Sequence, residues 1–313
     1  GLPRPDINLE VGSNTHSVQT AHIMMRLEKY LLSHGPDIVL VYGDVNSTVA
    51  AALVCSKLMI PLGHVEAGLR SFDRTMPEEI NRILTDQVAD LLFTPSKDGD
   101  ENLLREGIAR EKVCFVGNVM IDVLTGQLPR LNMRPELRVK REHDSYALVT
   151  LHRPSNVDSP EGLADIMNTL HEMSEEIPII FPIHPRTRQR LAGSTDRVST
   201  NGRLHLIDPV GYLDFLSLQR DARVVVTDSG GIQEETTFLG VPCLTIRNNT
   251  ERPVTVDIGT NILVGSDMRR LKEEVEKIIK GEGKKGSIPP LWDGKAGERI
   301  ANIINEWSAE NIR

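Results

Sequence analysis

The stretch from Asp228 to Glu235 combines residue types that suit the binding of a nucleotide. The β-branched run 224–227 predicts a buried strand, and a helix is expected from about residue 232 to 239. The turn between them offers backbone N–H groups at the positive end of a helix dipole, which favours a phosphate. These groups would come from Ser229, Gly230 and Gly231. The carboxylate of Glu235, farther along the helix, could accept hydrogen bonds from a ribose diol. An ordinary strand-to-helix turn accounts for the same residues, so this motif alone leaves both interpretations open.

Carboxylates in the first half of the chain occupy positions that favour acid–base chemistry. Asp44 and Glu66 each follow a predicted strand, and Glu78 begins a predicted helix. Each also has a structural explanation. Asp44 could cap the helix predicted from Ser47, and Glu78 could stabilise its helix through the dipole and through Arg82 at i,i+4.

Basic groups in the second half are candidates for binding an anion. His152 and His184 each follow a predicted strand, whereas Arg247 and Arg252 lie one loop after the glycine turn. Arginine forks suit a diphosphate, although carbonyl capping by the histidines and surface ion pairs of the arginines are competing explanations. The sequence contains no P-loop, HExxH, CxxC or Gly-x-Ser-x-Gly motif, so ATP hydrolysis, zinc peptidase and serine hydrolase chemistry lack support.

The composition narrows the class of protein. The 313 residues are 39% hydrophobic and 26% charged, which allows a buried core. A net charge of −8 and only 4% aromatic residues argue against a nucleic-acid partner and against an anionic membrane. The widely spaced Cys55, Cys114 and Cys243 are expected to be buried thiols of a cytoplasmic protein, with no zinc-binding spacing and no metal site.

Strands and helices alternate in two stretches of the chain, with short links. The predicted strands are 37–42, 60–66, 91–94, 113–116, 146–150, 177–183, 204–207, 224–227 and 242–246. Such alternation predicts doubly wound parallel sheets in an α/β protein. We therefore expect two Rossmann-like domains facing across a cleft, 1–126 and 146–295, joined by a Pro-containing, charged linker over 127–145. The C-terminal helix, about 296–313, is expected to pack back onto the first domain.

Four sequence blocks, taken together, resemble the non-hydrolysing UDP-N-acetylglucosamine 2-epimerases. They are His64-Val-Glu-Ala-Gly-Leu-Arg70, Pro77-Glu-Glu-Ile-Asn-Arg82, Asp228-Ser-Gly-Gly-Ile-Gln-Glu-Glu235 and Thr250-Glu-Arg-Pro253, and the resemblance extends from Gly12 to the C-terminus. It implies a GT-B-like pair of Rossmann domains, no cofactor, a homodimer, and reversible conversion of UDP-GlcNAc to UDP-ManNAc. The family chemistry is elimination of UDP to a 2-acetamidoglucal followed by re-addition, in the synthesis of surface polysaccharide precursors.

The resemblance also assigns substrate-binding roles in the second half. The residues that match the pyrophosphate turn are Ser229, Gly230 and Gly231. Glu235 matches the ribose ligand, Phe215 matches the position whose backbone meets the uracil, and Arg252 matches a diphosphate contact. His184 remains a substrate-binding candidate from its position after a strand.

For catalysis, the resemblance implies that Asp44, Glu66 and Glu78 transfer protons at the sugar, with Arg82 beside them. Asp44 is assigned as the base, and the two glutamates as acid–base or charge-stabilising partners. His152 is expected to help stabilise the charge of the leaving diphosphate.

Two features depart from the family pattern. The family opens with a strand and a Gly-Thr-Arg-Pro-Glu loop that contacts the nucleotide sugar, and we expect that first βαβ portion to precede Gly1. In addition, Ser155 stands where glutamate is common. Three alternatives therefore remain: an epimerase of a related UDP-sugar of the diacetamido-uronic acid type, a GT-B glycosyltransferase, and an inactive UDP-sugar binder.

Overall fold

The computed structural model describes residues 4–131, 142–143, 145–183, 187–188 and 202–311. The chain forms two compact units. The first unit comprises Gly1–Val119 and Lys295–Arg313, and the second comprises Met120–Gly294. Each unit is built on one sheet in which every strand pairing is parallel, so the prediction of two α/β domains with parallel sheets is confirmed.

The sheet of the first unit has four strands whose order in space follows their order in the chain. They are β1 (Val39–Tyr42), β2 (Leu62–Val65), β3 (Leu91–Thr94) and β4 (Val113–Phe115). The helices that precede or connect these strands are α1 (His16–His34), α2 (Asn46–Leu58), α3 (Pro77–Val88) and α4 (Lys97–Arg105). Because the strands are parallel, their carboxyl ends meet at one edge of the sheet, where Gly43, Asp44 and Glu66 follow β1 and β2.

Both faces of the first sheet are covered by apolar side chains. On one face, Leu62 and Leu92 pack in a cluster with residues of α1 and α2. On the other face, Leu91 and Phe93 pack with Ile300 of the C-terminal helix, Ala296–Asn311. Successive side chains of a strand point to opposite faces, so burial on both faces explains the continuous apolar strands.

The sheet of the second unit has six strands in the order β10-β9-β8-β5-β6-β7. They are β5 (Ala147–Thr150), β6 (Ile179–Pro182), β7 (Leu204–Ile207), β8 (Val224–Thr227), β9 (Cys243–Thr245) and β10 (Asn261–Leu263). From β5 the chain proceeds outward to β7 and then returns to β8 on the other side of β5. The strand order therefore reverses between β5 and β8, which is where sheets of this type bind ligands.

Helices surround this second sheet. In chain order they are α5 (Val119–Leu131), α6 (Pro154–Val157), α7 (Pro160–Met173), α8 (Tyr212–Asp221), α9 (Gly230–Leu239), α10 (Pro253–Asp257) and α11 (Met268–Ile279). The core again has two faces: Val149 and Val226 belong to one apolar cluster, and Leu148 and Val225 belong to another. Helix α9 ends at Gly240, whose φ of 72° is left-handed and suits glycine.

Four of these elements were not anticipated from the sequence: helices α5, α6 and α10 and strand β10. Helix α5 continues to Leu131 and so includes the first residues of the stretch that we interpret as a linker. Helix α10 and strand β10 are only five and three residues long, too short to give a periodic pattern. In the part of the chain that the structure describes, no helix combines the length and apolar character needed to cross a membrane.

Candidate functional site

Asp44 and Arg82 form an ion pair at the carboxyl edge of the first sheet. Nε and Nη2 of Arg82 lie 2.9 and 2.7 Å from Oδ2 of Asp44, and Asn81 donates a hydrogen bond to the Asp44 carbonyl at 2.8 Å. The Arg82 side chain is only 3% exposed, whereas that of Asp44 is 27% exposed. A buried guanidinium thus fixes a carboxylate that solvent or a substrate can still reach.

The buried acid beside this pair is Glu79, which the sequence analysis did not single out. It accepts a hydrogen bond from Nη1 of Arg82 at 2.5 Å and, at 2.9 Å each, from the backbone N–H groups of Ser71 and Phe72. Phe72 has a φ of 58°, a left-handed conformation that these bonds hold in place. Glu78 is half-buried and has no hydrogen-bond or ion-pair partner among the described residues. The two adjacent glutamates therefore differ: Glu79 is structural, and Glu78 is left with an unengaged carboxylate.

Glu66 also has a left-handed backbone, with a φ of 74°. Its N–H donates to the carbonyl of Phe93 at 3.1 Å. This hydrogen bond stabilises a backbone conformation that by itself costs on the order of 1–3 kcal/mol. A Cβ atom built on Gly43 would lie 3.5 Å from Oε2 of Glu66, so the carboxylate lies beside the turn that carries Asp44. The structure thus brings Asp44, Glu66 and Arg82 together at the ends of β1 and β2.

In the second unit, the loops after β5 and β8 are joined through the buried carboxylate of Asp228. It accepts hydrogen bonds from the backbone N–H of Arg153 at 2.9 Å, from Nδ2 of Asn156 at 2.9 Å and from Nδ1 of His152 at 2.8 Å. Burial by itself raises the pKa of the Asp228 carboxyl, but the hydrogen bonds from His152, Asn156 and Arg153 together hold that pKa below its ordinary value. Because an ionised carboxylate can only accept hydrogen bonds, Nδ1 of His152 must be the donor to Asp228.

This arrangement orients the imidazole of His152. Its side chain is 59% exposed, and with Nδ1 committed to Asp228 the nitrogen available to a ligand is Nε2. Ser229 follows Asp228 and is the N-cap residue of α9. The ends of β5 and β8 are neighbours at the reversal of strand order, so His152 and the glycine turn share that edge.

Arg252 lies against the glycine turn. A Cβ atom on Gly230 would be 2.5 Å from Nη1 of Arg252 and 2.7 Å from Oε1 of Glu251. Glycine at position 230 is therefore required by the approach of a guanidinium to the N-terminus of α9. A guanidinium and helical N–H groups side by side form a site that can bind an anion.

Two acidic residues hold Arg252 and balance its charge. Nε of Arg252 lies 3.0 Å from Oε1 of Glu234, and Nη1 contacts Glu251. Glu251 also pairs with Arg247 at 2.6 Å. Although burial by itself raises the pKa of the Glu251 carboxyl, the charge of Arg252 and the hydrogen bond and charge of Arg247 hold it well below its usual range. Arg247, a candidate donor from the sequence, is thus buried in an internal ion pair.

Glu235 is buried in α9 at 3% exposure. Tyr212 donates a hydrogen bond to its Oε1 at 2.9 Å, whereas Oε2 has no hydrogen-bond partner within the described ranges. Burial raises the pKa of this carboxyl, and the hydrogen bond from Tyr212 opposes that shift. Phe215 lies one turn after Tyr212 on α8, half-buried, and its N–H donates to Gly211 at 2.9 Å. The unmatched Oε2 is an acceptor that a hydroxyl group can satisfy.

The chain as a whole matches a known protein family. The family model described as UDP-N-acetylglucosamine 2-epimerase matches residues 1–305. The chain belongs to this family. The resemblance seen in the four sequence blocks is thereby confirmed.

Individual members of the family are similar over nearly the whole chain. The UDP-N-acetylglucosamine 2-epimerase of Methanocaldococcus jannaschii is 47% identical over 311 residues, which cover 97% of this chain and 84% of the relative. A crystal structure of that organism's UDP-GlcNAc 2-epimerase in complex with UDP-GlcNAc and UDP matches with a TM-score of 0.87 and 46% identity, covering 97% of this chain and 85% of the other. The UDP-2,3-diacetamido-2,3-dideoxy-D-glucuronate 2-epimerase of Pseudomonas aeruginosa is 41% identical, covering 97% of this chain and 84% of the relative.

Other predictions for this epimerase-family chain fall outside these clusters. His184 lies outside the described residues. The described residues contain no group of three or more His, Cys, Asp or Glu side chains that could hold a metal ion. All three cysteines are free; Cys55 and Cys243 are buried, Cys114 is half-buried, and burial raises the pKa of the Cys55 and Cys243 thiols to about 11.

Three residues with clear structural roles in these clusters were not among the functional candidates from the sequence. They are Glu79, Tyr212 and Asp228. Each sits beside a residue that was identified: Glu79 follows Glu78, Asp228 precedes Ser229, and Tyr212 is one turn from Phe215. Their proximity in sequence to a candidate residue could have pointed to them. Which of two neighbouring side chains becomes buried, however, depends on how the chain packs.

Proposed function

We propose that this family member interconverts UDP-N-acetylglucosamine and UDP-N-acetylmannosamine by inverting the configuration at C2. The observation that carries the proposal is the position of Glu66 beside the Gly43–Asp44 turn at the ends of β1 and β2, with Arg82 fixing Asp44. Removal and return of a proton on opposite faces of one carbon requires more than one acid–base group, and this cluster supplies them. The similarity to the UDP-N-acetylglucosamine 2-epimerase of M. jannaschii supports the choice of substrate.

The second unit is proposed to bind the UDP moiety. Backbone N–H groups at the start of α9, the guanidinium of Arg252 and Nε2 of His152 would hold the diphosphate. Oε2 of Glu235 would accept a ribose hydroxyl, because the other carboxylate oxygen already has Tyr212 as its donor. The backbone of Phe215 is proposed to meet the uracil.

The proposed chemistry begins with loss of UDP. A base removes the proton at C2, the electron pair forms a C1–C2 double bond, and the C1–O bond breaks so that UDP leaves as an anion. The product of this step is a 2-acetamidoglucal. UDP then adds back at C1 while a proton is delivered to the opposite face of C2. This completes the inversion, and the product contains the same atoms as the substrate.

The charge that develops on the leaving diphosphate is stabilised by groups already in place. A helix N-terminus and a guanidinium fixed by Glu234 and Glu251 need no reorganisation when that charge appears. In the first unit, Asp44 is proposed as the base that acts at C2, with Glu66 and Glu78 as the acid–base or charge-stabilising partners. The unengaged carboxylate of Glu78 is consistent with a role in substrate contact.

A second candidate substrate is a UDP-2,3-diacetamido-2,3-dideoxy-uronic acid. It is favoured by the 41% identity to the P. aeruginosa epimerase that carries this name. The same elimination and re-addition would apply, since both substrates carry an acetamido group at C2. A homodimeric state, a cytoplasmic location and a role in surface polysaccharide precursor synthesis remain predictions for this protein.

The decisive experiment follows the sugar by proton NMR in D2O. With UDP-GlcNAc as substrate, we expect UDP-ManNAc to form and solvent deuterium to enter C2 of both sugars. Supplying UDP-2,3-diacetamido-2,3-dideoxy-glucuronic acid in parallel separates the two substrates. UDP binding without C2 exchange in either sugar would contradict the proposal and favour an inactive binder, and sugar transfer to an acceptor without C2 exchange would favour a glycosyltransferase.

A matched pair of variants links the activity to the carboxylate cluster. Glu66→Gln is expected to lower C2 exchange by at least ~10²-fold while UDP affinity stays near that of the wild type, because an acid–base group is lost and the UDP contacts are not. Glu28→Gln, an exposed glutamate on α1, is the control and should leave both quantities unchanged. An equal loss of UDP affinity in Glu66→Gln would mean that Glu66 binds the nucleotide instead.

A further inference from the structure

His64 is a fully buried histidine in β2 whose two ring nitrogens both have partners. Nδ1 lies 2.6 Å from Oδ1 of Asp86, a residue of α3, and Nε2 lies 3.0 Å from the carbonyl oxygen of Gly43. The ring thus spans from a helix to the turn that immediately precedes Asp44. No role for this residue has been assigned above.

Both partners of the ring can only accept hydrogen bonds. A backbone carbonyl has no proton to give, and the Asp86 carboxyl is held in its ionised form by Arg70 at 2.7 Å and by the Gly68 N–H at 3.2 Å. Burial by itself raises the pKa of Asp86, but His64 and Arg70 together hold it below its ordinary value. A neutral imidazole carries only one N–H, so its other ring nitrogen would point a lone pair at an oxygen atom that also carries lone pairs. An imidazolium, with an N–H on each ring nitrogen, can donate a hydrogen bond to both Asp86 and the Gly43 carbonyl.

We propose that His64 is an imidazolium at neutral pH that positions the Gly43–Asp44 turn beside Glu66 for proton transfer. The positioning role rests on the proposed epimerase function, whereas the protonation state does not. His64 is thus a positioning residue that acts through the Gly43 carbonyl.

The charges around the ring support this state. Asp86 faces it from α3, Glu66 follows it at the end of β2, and the Gly43 carbonyl faces it from β1. Arg70 lies on the far side of Asp86 and is itself paired with Glu106 at 2.7 Å. Burial by itself lowers the pKa of His64. The hydrogen bond and charge of Asp86 outweigh this effect, together with the hydrogen bond to the Gly43 carbonyl and the charge of Glu66, so the pKa lies above its ordinary value.

The turn that His64 contacts is held from two sides. The N–H of Gly43 donates to the carbonyl of Val65 at 3.1 Å, and its carbonyl accepts from His64. Gly43 has a φ of 66°, which suits glycine, and Asp44 follows directly. Loss of the second ring proton would replace a hydrogen bond by repulsion between a lone pair and the carbonyl oxygen. The turn would then shift, and Asp44 with it, where a displacement of about 1 Å can cost ~10²-fold in rate.

Nitrogen-15 NMR of the intact protein labelled at histidine tests the protonation state without any substrate. We expect both ring nitrogens of His64 to carry protons at pH 7.5, about one unit above the ordinary pKa of a histidine side chain. The exposed His22 of α1 serves as the reference. His64→Gln and His22→Gln assign the two sets of resonances. A single ring proton on His64 at pH 7.5 would overturn the proposal.

Kinetics of the same pair test the positioning role. His64→Gln is expected to lower kcat for C2 exchange by at least ~10-fold with KM changed less than ~2-fold, whereas His22→Gln leaves both unchanged. Unchanged kcat in a folded His64→Gln protein would overturn the role.

If circular dichroism shows that this variant does not fold, the turnover of the wild type is followed from pH 6 to 9 instead. If His64 loses a ring proton in this range, turnover that persists overturns the role, and turnover that falls with that proton supports it. Constant turnover while both ring protons remain also supports it. Absence of turnover in the wild type at every pH would contradict the proposed function and leave the NMR result intact.

Discussion

Arg82 holds Asp44 through two nitrogens, Nε at 2.9 Å and Nη2 at 2.7 Å, while its third nitrogen binds the buried Glu79 at 2.5 Å. The guanidinium therefore connects a structural carboxylate to one that is accessible. Since both contacts depend on the planar fork of arginine, the orientation of Asp44 is set by a residue that need not touch the substrate.

Replacing Arg82 by lysine tests this connection. A single ammonium group cannot reproduce three directed contacts, so we expect kcat for C2 exchange to fall roughly tenfold to hundredfold with UDP affinity unchanged. Steady-state kinetics and calorimetric titration with UDP measure the two effects. Arg105→Lys, which alters an exposed ion pair with Glu101, is the control and should have no effect. Full activity in Arg82→Lys would show that Asp44 does not depend on the fork.

The close approach of Arg252 to Gly230 makes a second prediction. Gly230→Ala places a methyl group 2.5 Å from Nη1 of Arg252 and so displaces the guanidinium from the N-terminus of α9. We expect the Kd for UDP to rise at least ~10-fold, as for the loss of a charged hydrogen bond. Gly126→Ala is the matched control, because a Cβ atom there meets nothing within 4 Å. Wild-type UDP affinity in Gly230→Ala would rule out this turn as the diphosphate site.

A third prediction follows from Oε2 of Glu235, which has no hydrogen-bond partner in the part of the chain that the structure describes. Glu235→Ala is expected to weaken UDP binding by roughly tenfold, because a hydrogen bond between a charged group and a ribose hydroxyl is lost. A 2′,3′-dideoxy analogue of UDP lacks those hydroxyls, so its affinity should change little on the same substitution. Titration calorimetry of both ligands with both proteins gives the comparison. Equal weakening of the two ligands would remove the ribose role of Glu235.

The depressed pKa of Glu251 predicts how stability depends on pH. A carboxyl whose folded pKa is lowered contributes stability above its ordinary value of 4.5, and this contribution is lost as the pH falls through the folded pKa. At pH 7, Glu251→Gln should reduce the free energy of unfolding by roughly 3–5 kcal/mol, because it leaves the buried Arg247 unpaired. The difference from the wild type should stay constant from pH 8 to about 5.5 and shrink below about 4.5.

Urea unfolding followed by circular dichroism at pH 7, 5.5 and 3.5 measures this difference. Glu273→Gln, an exposed glutamate on α11, is the control and should follow the wild type at each pH. A difference that grows as the pH falls would contradict the assignment of Glu251 as an ionised partner of the two arginines.

Much of the fold was predictable because its signals are local. The continuous β-branched run Val224–Thr227, followed by glycines, indicated a buried parallel strand and then a helix, and β8 and α9 are found there. Each of the nine predicted strands is present, whereas the short β10 was missed because three residues carry no periodicity. Helix α5 was missed because Pro129 and the charges after it indicated a linker, yet Pro129 lies within the helix.

Motif spacing and apolar periodicity are properties of neighbouring residues, so the family, the parallel α/β architecture and the residue types available for chemistry could be inferred before folding was considered. Which of these residues come into contact depends on the fold. Asp44 and Arg82 are 38 residues apart, and His152 and Asp228 are 76 apart. Parallel strands bring their carboxyl ends to one edge whatever the length of chain between them, so contacts at that edge have no signature in local sequence. The same holds for burial. Glu79 is buried and bonded to Arg82, Ser71 and Phe72, whereas the side chain of the adjacent Glu78 has no hydrogen-bond or ion-pair partner among the described residues.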